Sequence, residues 1–95
     1  MAYNLLAEFP QPPDWAAVHS HTIALRHVQV FPIPPAALGI SLPLSRAPEQ
    51  AWPELRALLL ALLGSHSATV VELYGGTHVT PATIDLLRAA ITGTA

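Results

Sequence analysis

The chain predicts a small single domain of the α+β or α/β kind: a sandwich of a three- to four-stranded sheet with two main helices on it, spanning residues 1–95. Three observations predict this. The segments His21–Ile33, Gly39–Leu44 and Ala68–Tyr74 are short, rich in Val, Ile, Thr and Phe, and bounded by proline or glycine, as strands are. The segments Trp52–Gly64 and Thr80–Gly93 repeat apolar residues at three- and four-residue spacing, as amphipathic helices do. A chain of 95 residues sustains one modest core and no second one.

Taken in order, Tyr3–Phe9 reads as a short helix stopped at Pro10, with Pro12-Pro13 holding an extended link. Asp14 stands where it can cap a short turn through Trp15–Val18. In HTIALRHVQVFPI, His21 to Ile33, apolar residues fall on both parities: Ile23, Leu25 and Phe31 against Val28 and Val30. That predicts a strand with neither face fully wet, ended by Pro32, Pro34 and Pro35. GISLPL, Gly39 to Leu44, predicts a second strand lying at an edge or ending at Pro43, which cannot donate to a ladder. The intervening PIPPAAL is long for a tight hairpin, so pairing of these two strands stays open.

In PEQAWPELRALLLALLG, Pro53 suits a first helical turn, so the helix starts near Trp52 or an earlier turn from Pro48 is kinked there. Leu55, Leu58, Leu59, Leu62 and Leu63 form one stripe with Leu60 off it, and Gly64 is the expected stop. ATVVELY, Ala68 to Tyr74, is nearly continuous in apolar residues and predicts a strand covered on both faces. Thr80 as N-cap and Pro81 at the first position open a helix with Ile84, Leu87 and Ile91 on one face and Gly93 as its end. The last strand, turn and helix then form a βα unit. A right-handed parallel crossover and an antiparallel α+β arrangement are equally compatible with this order.

Charge sets the bounds on function. Charged residues are 11% of the chain, against roughly 25% in ordinary soluble domains. Lysine is absent, and the cations are Arg26, Arg46, Arg56 and Arg88; the anions are Glu8, Asp14, Glu49, Glu54, Glu72 and Asp85. A net charge of -2 with scattered arginines excludes a nucleic-acid groove. The lack of cysteine excludes disulfides, zinc-thiolate sites and thiol catalysis. The densest apolar run, Leu55 to Gly64, is half of the roughly 20 residues a membrane span needs, so no membrane is expected. The start MAYNLLAEFPQPPDW lacks the pattern of a signal peptide, and a cytoplasmic location is expected. So few ionic groups leave apolar surface for another chain to cover. The expected function is therefore a non-enzymatic homo-oligomeric interaction module, its partner being itself (a homo-dimer or higher) or another protein.

One local site stands out. In ELYGGTHVT, Gly75 and Gly76 permit positive φ and close backbone approach, while Thr77, His78 and Thr80 add hydroxyls and an imidazole. At the amino end of a helix, these five residues could seat an anion. The spacing matches neither a dinucleotide fingerprint nor a P-loop, and no cofactor is expected. The alternative is that the glycines only reverse the chain and Thr80 only caps.

Two resemblances touch this region. ELYGGTHV resembles the ELCGGTHV stretch of the editing domain of alanyl-tRNA synthetases, in which the cysteine and histidine bind zinc. Here Tyr74 takes the cysteine position and only His78 carries over. His19, His21 and His27 lack the spacing of that family's upstream HxxxH pair, so the resemblance implies no metal site. The order of elements, Trp15 and the terminal Thr77-His78 turn are similar to pterin carbinolamine dehydratases, small oligomeric α+β enzymes without a metal. That resemblance implies the alternative function, an acid–base enzyme using His78, with or without His66, beside the Gly75-Gly76 turn. The family's His-His-Pro is replaced here by Gly64-Ser65-His66-Ser67. His19 and His21 would share a face on a strand, but Glu72 is the one nearby carboxylate that could complete a ligand set. Asp85 is expected to face solvent or to pair with Arg88, and Trp15 and Trp52 to anchor packing.

Overall fold

The stretch Tyr3–Phe9, expected as a helix, runs through the middle of a sheet. The computed structural model describes residues 2–43 and 48–92, and within them β1 spans Ala2–Glu8. Tyr3, Leu5, Ala7 and Phe9 are buried and Asn4 and Glu8 are exposed, so the working period is two, not 3.6. Two neighbours override the local helical reading: β1 pairs antiparallel with β3 (Ala37–Pro43) on one side and with β4 (Thr69–Glu72) on the other. With β2 (Gln29–Ile33) and β5 (His78–Val79) the sheet has five strands in the order β2-β3-β1-β4-β5.

Every pairing is antiparallel, so the domain is α+β, and β4 is followed by β5 rather than directly by a helix, so the expected terminal βα unit is replaced by a hairpin. The helical segments 15–22 and 48–64 each carry the chain over one intervening strand, from β1 to β2 and from β3 to β4, so the members of each pair run parallel without touching. The sheet holds one or two more strands than the sequence predicts, because β1 and the two-residue β5 carry no clear strand composition. β2 and β3 do pair, joined by the three residues 34–36. The edge is β2, not β3, and it carries Pro32 within it, where a missing amide costs no ladder bond on the solvent side. The strand expected from His21 begins only at Gln29. Asp14 accepts from the Ala16 amide and caps α1, Trp15–Thr22, which consumes the front of that segment. Leu44, Arg46 and Gly93 lie outside the described residues.

The described helices all lie on one face of the sheet. The helix α2 runs from Pro48 to Gly64 with Pro53 inside it, so the bond that would reach the Glu49 carbonyl is missing. Its Ala51, Trp52, Leu55, Leu58, Leu59 and Leu62 are buried against Leu5, Leu38, Ile40, Leu42 and Val70 of the sheet. Both α1 and α3 (Leu87–Thr92) flank α2, and Leu60 and Leu63 are half-buried against the core. The leucine-rich helix is thus covered within one chain. Gly64 stays helical and the left-handed residue beyond it is Ser67, φ 52°.

The expectation that Ala68–Tyr74 is covered on both faces fails for the same reason. Val70 and Glu72 are buried beneath the helices, whereas Thr69 and Leu73 are exposed on the other face and Val71 is half-buried. Thr80 caps no helix; its Oγ1 accepts from the Thr83 amide (3.2 Å) while its own amide donates to Thr83 Oγ1 (2.9 Å), which closes a turn, and Thr83 holds the N-cap position of the segment that follows. The chain continues from Thr80 as a turn and a 3-10 segment, Ile84–Leu86, so no α-helix starts at Pro81. Ile84, Leu87 and Ile91 are buried as the periodicity predicts, but Asp85 pairs with Arg56 at 2.9 Å rather than with Arg88.

Candidate functional site

The glycine turn belongs to a β-hairpin between β4 and β5, not to a helix amino end. Glu72 closes β4 and faces the core side, opposite Leu5, where it is 7% exposed. A carboxylate there loses its water and must find donors elsewhere. The turn supplies them. Glu72 Oε1 accepts from the amides of Gly75 (2.7 Å) and Thr77 (3.1 Å), and Oε2 accepts from the Tyr74 amide (3.0 Å). The Gly76 amide bonds the Glu72 carbonyl oxygen (3.1 Å), and Gly76 takes φ 71°, which a glycine adopts without strain.

The Gly75, Gly76 and Thr77 amides and the Thr80 amide therefore all have internal partners. The turn is an anion cradle, and the anion in it is the chain's own Glu72. The Thr77 amide first, then those of Gly75 and Tyr74 and the Thr77 hydroxyl, hold this carboxyl below the ordinary carboxylate range against the opposing effect of burial. Tyr3 lies beside it. Burial first, then the Glu72 charge and a hydrogen bond to Glu72, push the Tyr3 phenol above its usual range. The Tyr3 and Tyr74 rings sit 5.5 Å apart, tilted 32°.

These groups border a cleft of about 540 Å³. Tyr3, Glu72, Tyr74 and His78 line one side and Leu86 and Leu87 the other. A smaller concavity of about 310 Å³ lies between α1 and β2, where Trp15, His19 and Pro32 meet.

The remaining histidines are dispersed. His19 and His21 lie in α1, where two residues apart means different sides of a helix. His21 meets His66 edge-on at 5.3 Å, and Phe9 packs on His66 at 6.3 Å. His66 Nε2 is buried and has no hydrogen-bond partner among the described residues, and His66 does not border the cleft that His78 borders. No group of three His, Asp or Glu side chains suited to a metal ion occurs among the described residues. Trp52 is buried in the core and Trp15 packs edge-on against Phe9 at 6.0 Å, the anchoring roles expected of both.

Sequence reasoning misses Glu54. Its carboxylate accepts from three successive loop amides, Arg26 (3.0 Å), His27 (2.9 Å) and Val28 (3.3 Å), and so ties the approach to β2 onto α2. Nothing in the local pattern at position 54 announces a partner 26 to 28 residues earlier.

No helix among the described residues lies on the other face of the sheet. The register aligns one row across all five strands: Phe31, Gly39, Leu6, Val71 and His78. A second row joins Ile33, Ala37, Glu8 and Thr69, and a third Gln29, Ser41 and Asn4. Phe31 is 54% exposed, Ile33 47% and Leu73 56%. Glu8 is the single charged side chain among the described strand residues on this face. No helix among the described residues is long and apolar enough to cross a membrane. Comparison with protein-family models, with curated proteins and with solved structures finds no match to this chain.

Proposed function

We propose that this chain is a non-enzymatic self-association module that packs the open face of its sheet against the same face of a second copy. The observation that carries it is the row Phe31–Gly39–Leu6–Val71–His78, which holds no carboxylate and no guanidinium, on a face that no described element of the chain covers. The three rows hold five, four and three positions, each about 4.8 Å by about 6.7 Å, so one copy offers about 390 Å² and a pair buries on the order of 800 Å². An interface of that size belongs with small, reversible contacts rather than obligate ones.

The edges favour face-to-face packing over strand addition. β2 carries Pro32 and is followed by Pro34, and β5 is only two residues long, so neither border offers a continuous ladder. Two copies of one face related by a two-fold axis form a β-sandwich, the usual way to cover such a surface.

Sedimentation tests the reading. The wild-type chain is expected to shift from monomer to dimer across the micromolar range, and Leu6→Glu, with a native circular-dichroism spectrum, to stay monomeric. A wild-type chain that remains monomeric at several hundred micromolar overturns it.

A further inference from the structure

The cleft beside the glycine turn has the chemistry of a receptor for an organic cation, a feature independent of the sheet face. Its charged wall is Glu72, 7% exposed, and the groups that donate to this carboxylate are neutral amides and hydroxyls. Neutral donors stabilise a negative charge without cancelling it, and burial strengthens its field. No arginine borders the cleft among the described residues, and the chain has no lysine. Two tyrosine rings stand next to the carboxylate, 5.5 Å apart, one buried and one exposed. Aromatic rings and a carboxylate together attract cations.

The donor count refines the ligand class. A carboxylate has about four lone-pair positions. Three are taken by the amides of Tyr74, Gly75 and Thr77, and the hydroxyls of Thr77 and Tyr3 compete for what remains. A primary ammonium would have to displace one of these donors to make its own bond. A quaternary ammonium donates no hydrogen bond and needs only the field and the rings. The opposite wall, Leu86, Leu87 and Ala90, is apolar, and Leu86 is 75% exposed, which leaves room for an apolar body. We infer that the cleft bounded by Tyr3, Glu72, Tyr74 and Leu86 binds a quaternary or fully methylated ammonium joined to an apolar group. This reverses the sign of the ligand expected from the turn's sequence, because the chain already supplies the anion.

Nuclear magnetic resonance titration with benzyltrimethylammonium chloride tests this. Saturable shifts are expected at Tyr74, Thr77, Leu86 and Leu87. The neutral isostere neopentylbenzene is expected to bind at least tenfold more weakly, and benzylammonium chloride more weakly than the quaternary salt. Tyr74→Leu removes an exposed ring that packs on Tyr3 and, with a native circular-dichroism spectrum, is expected to weaken binding roughly five- to thirtyfold. Glu72→Gln is expected to abolish the preference for the charged probe; should that variant unfold, Tyr74→Leu and the neutral isostere still decide. No saturable shift with the quaternary salt, equal binding of the neutral isostere, or unchanged affinity in Tyr74→Leu overturns the inference.

Discussion

The Gly75 amide meets Glu72 Oε1 at 2.7 Å, so the reversal after β4 closes on a carboxylate three residues behind it. This contact explains why a glycine stands there: a Cβ on Gly75 would lie 2.9 Å from that same oxygen. Because the oxygen is fixed by amides, it cannot swing aside cheaply. Gly75→Ala is expected to open the cradle and lower the thermal midpoint, while Gly76→Ala, with a left-handed φ and open space around it, costs only about 1 kcal/mol. Paired thermal melts check the order of the two.

Acid should dismantle the same cradle. The Glu72 carboxyl is held below the ordinary value of 4.5, so its stabilising effect is complete above that value and is lost as pH falls through the lower folded pKa. Denaturation midpoints are expected to fall on acidification below about pH 4.5. Glu72→Gln, less stable at neutral pH, should show a flatter acid limb. Equal slopes in the two proteins would contradict the assignment.

Glu54 predicts a long-range effect. Removing its carboxylate strands the amides of Arg26, His27 and Val28 together, so Glu54→Ala is expected to cost about 1–3 kcal/mol. Amide exchange should rise first in residues 24–28, with α2 still protected. Exchange rising first within α2 would place the loss elsewhere.

The core makes the plainest prediction. Leu59 is fully buried in the middle of α2, beneath the sheet, and Leu59→Ala should destabilise by about 2–5 kcal/mol. Leu60→Ala, one position around the helix and half-buried, should cost clearly less. Urea denaturation of both variants checks the difference.

Residues with short-range causes are legible in the sequence. Asp14 capping α1, the α2 stripe and the Ile84–Leu87–Ile91 face follow from periodicity and side-chain reach alone. Residues whose state depends on distant partners are not. Tyr3–Phe9 satisfies a helix locally, and only β3 and β4, some 35 and 65 residues away, make it a strand. At the candidate site the paired glycines do mark a turn that cradles an anion, but composition alone points to an external charge rather than an internal one. The spacing Glu72, Gly75, Thr77 holds the clue, since a carboxylate at the end of a strand can reach amides three and five residues ahead. A buried glutamate within an apolar run is easily taken for a solvent-facing one.

The blunt borders of the sheet have a further consequence for how copies accumulate. A surface that is used up once covered ends growth at two molecules, whereas a hydrogen-bonding rim recruits without limit. With Pro32 at one rim and a two-residue stub at the other, crowding this greasy chain should yield closed pairs rather than fibres.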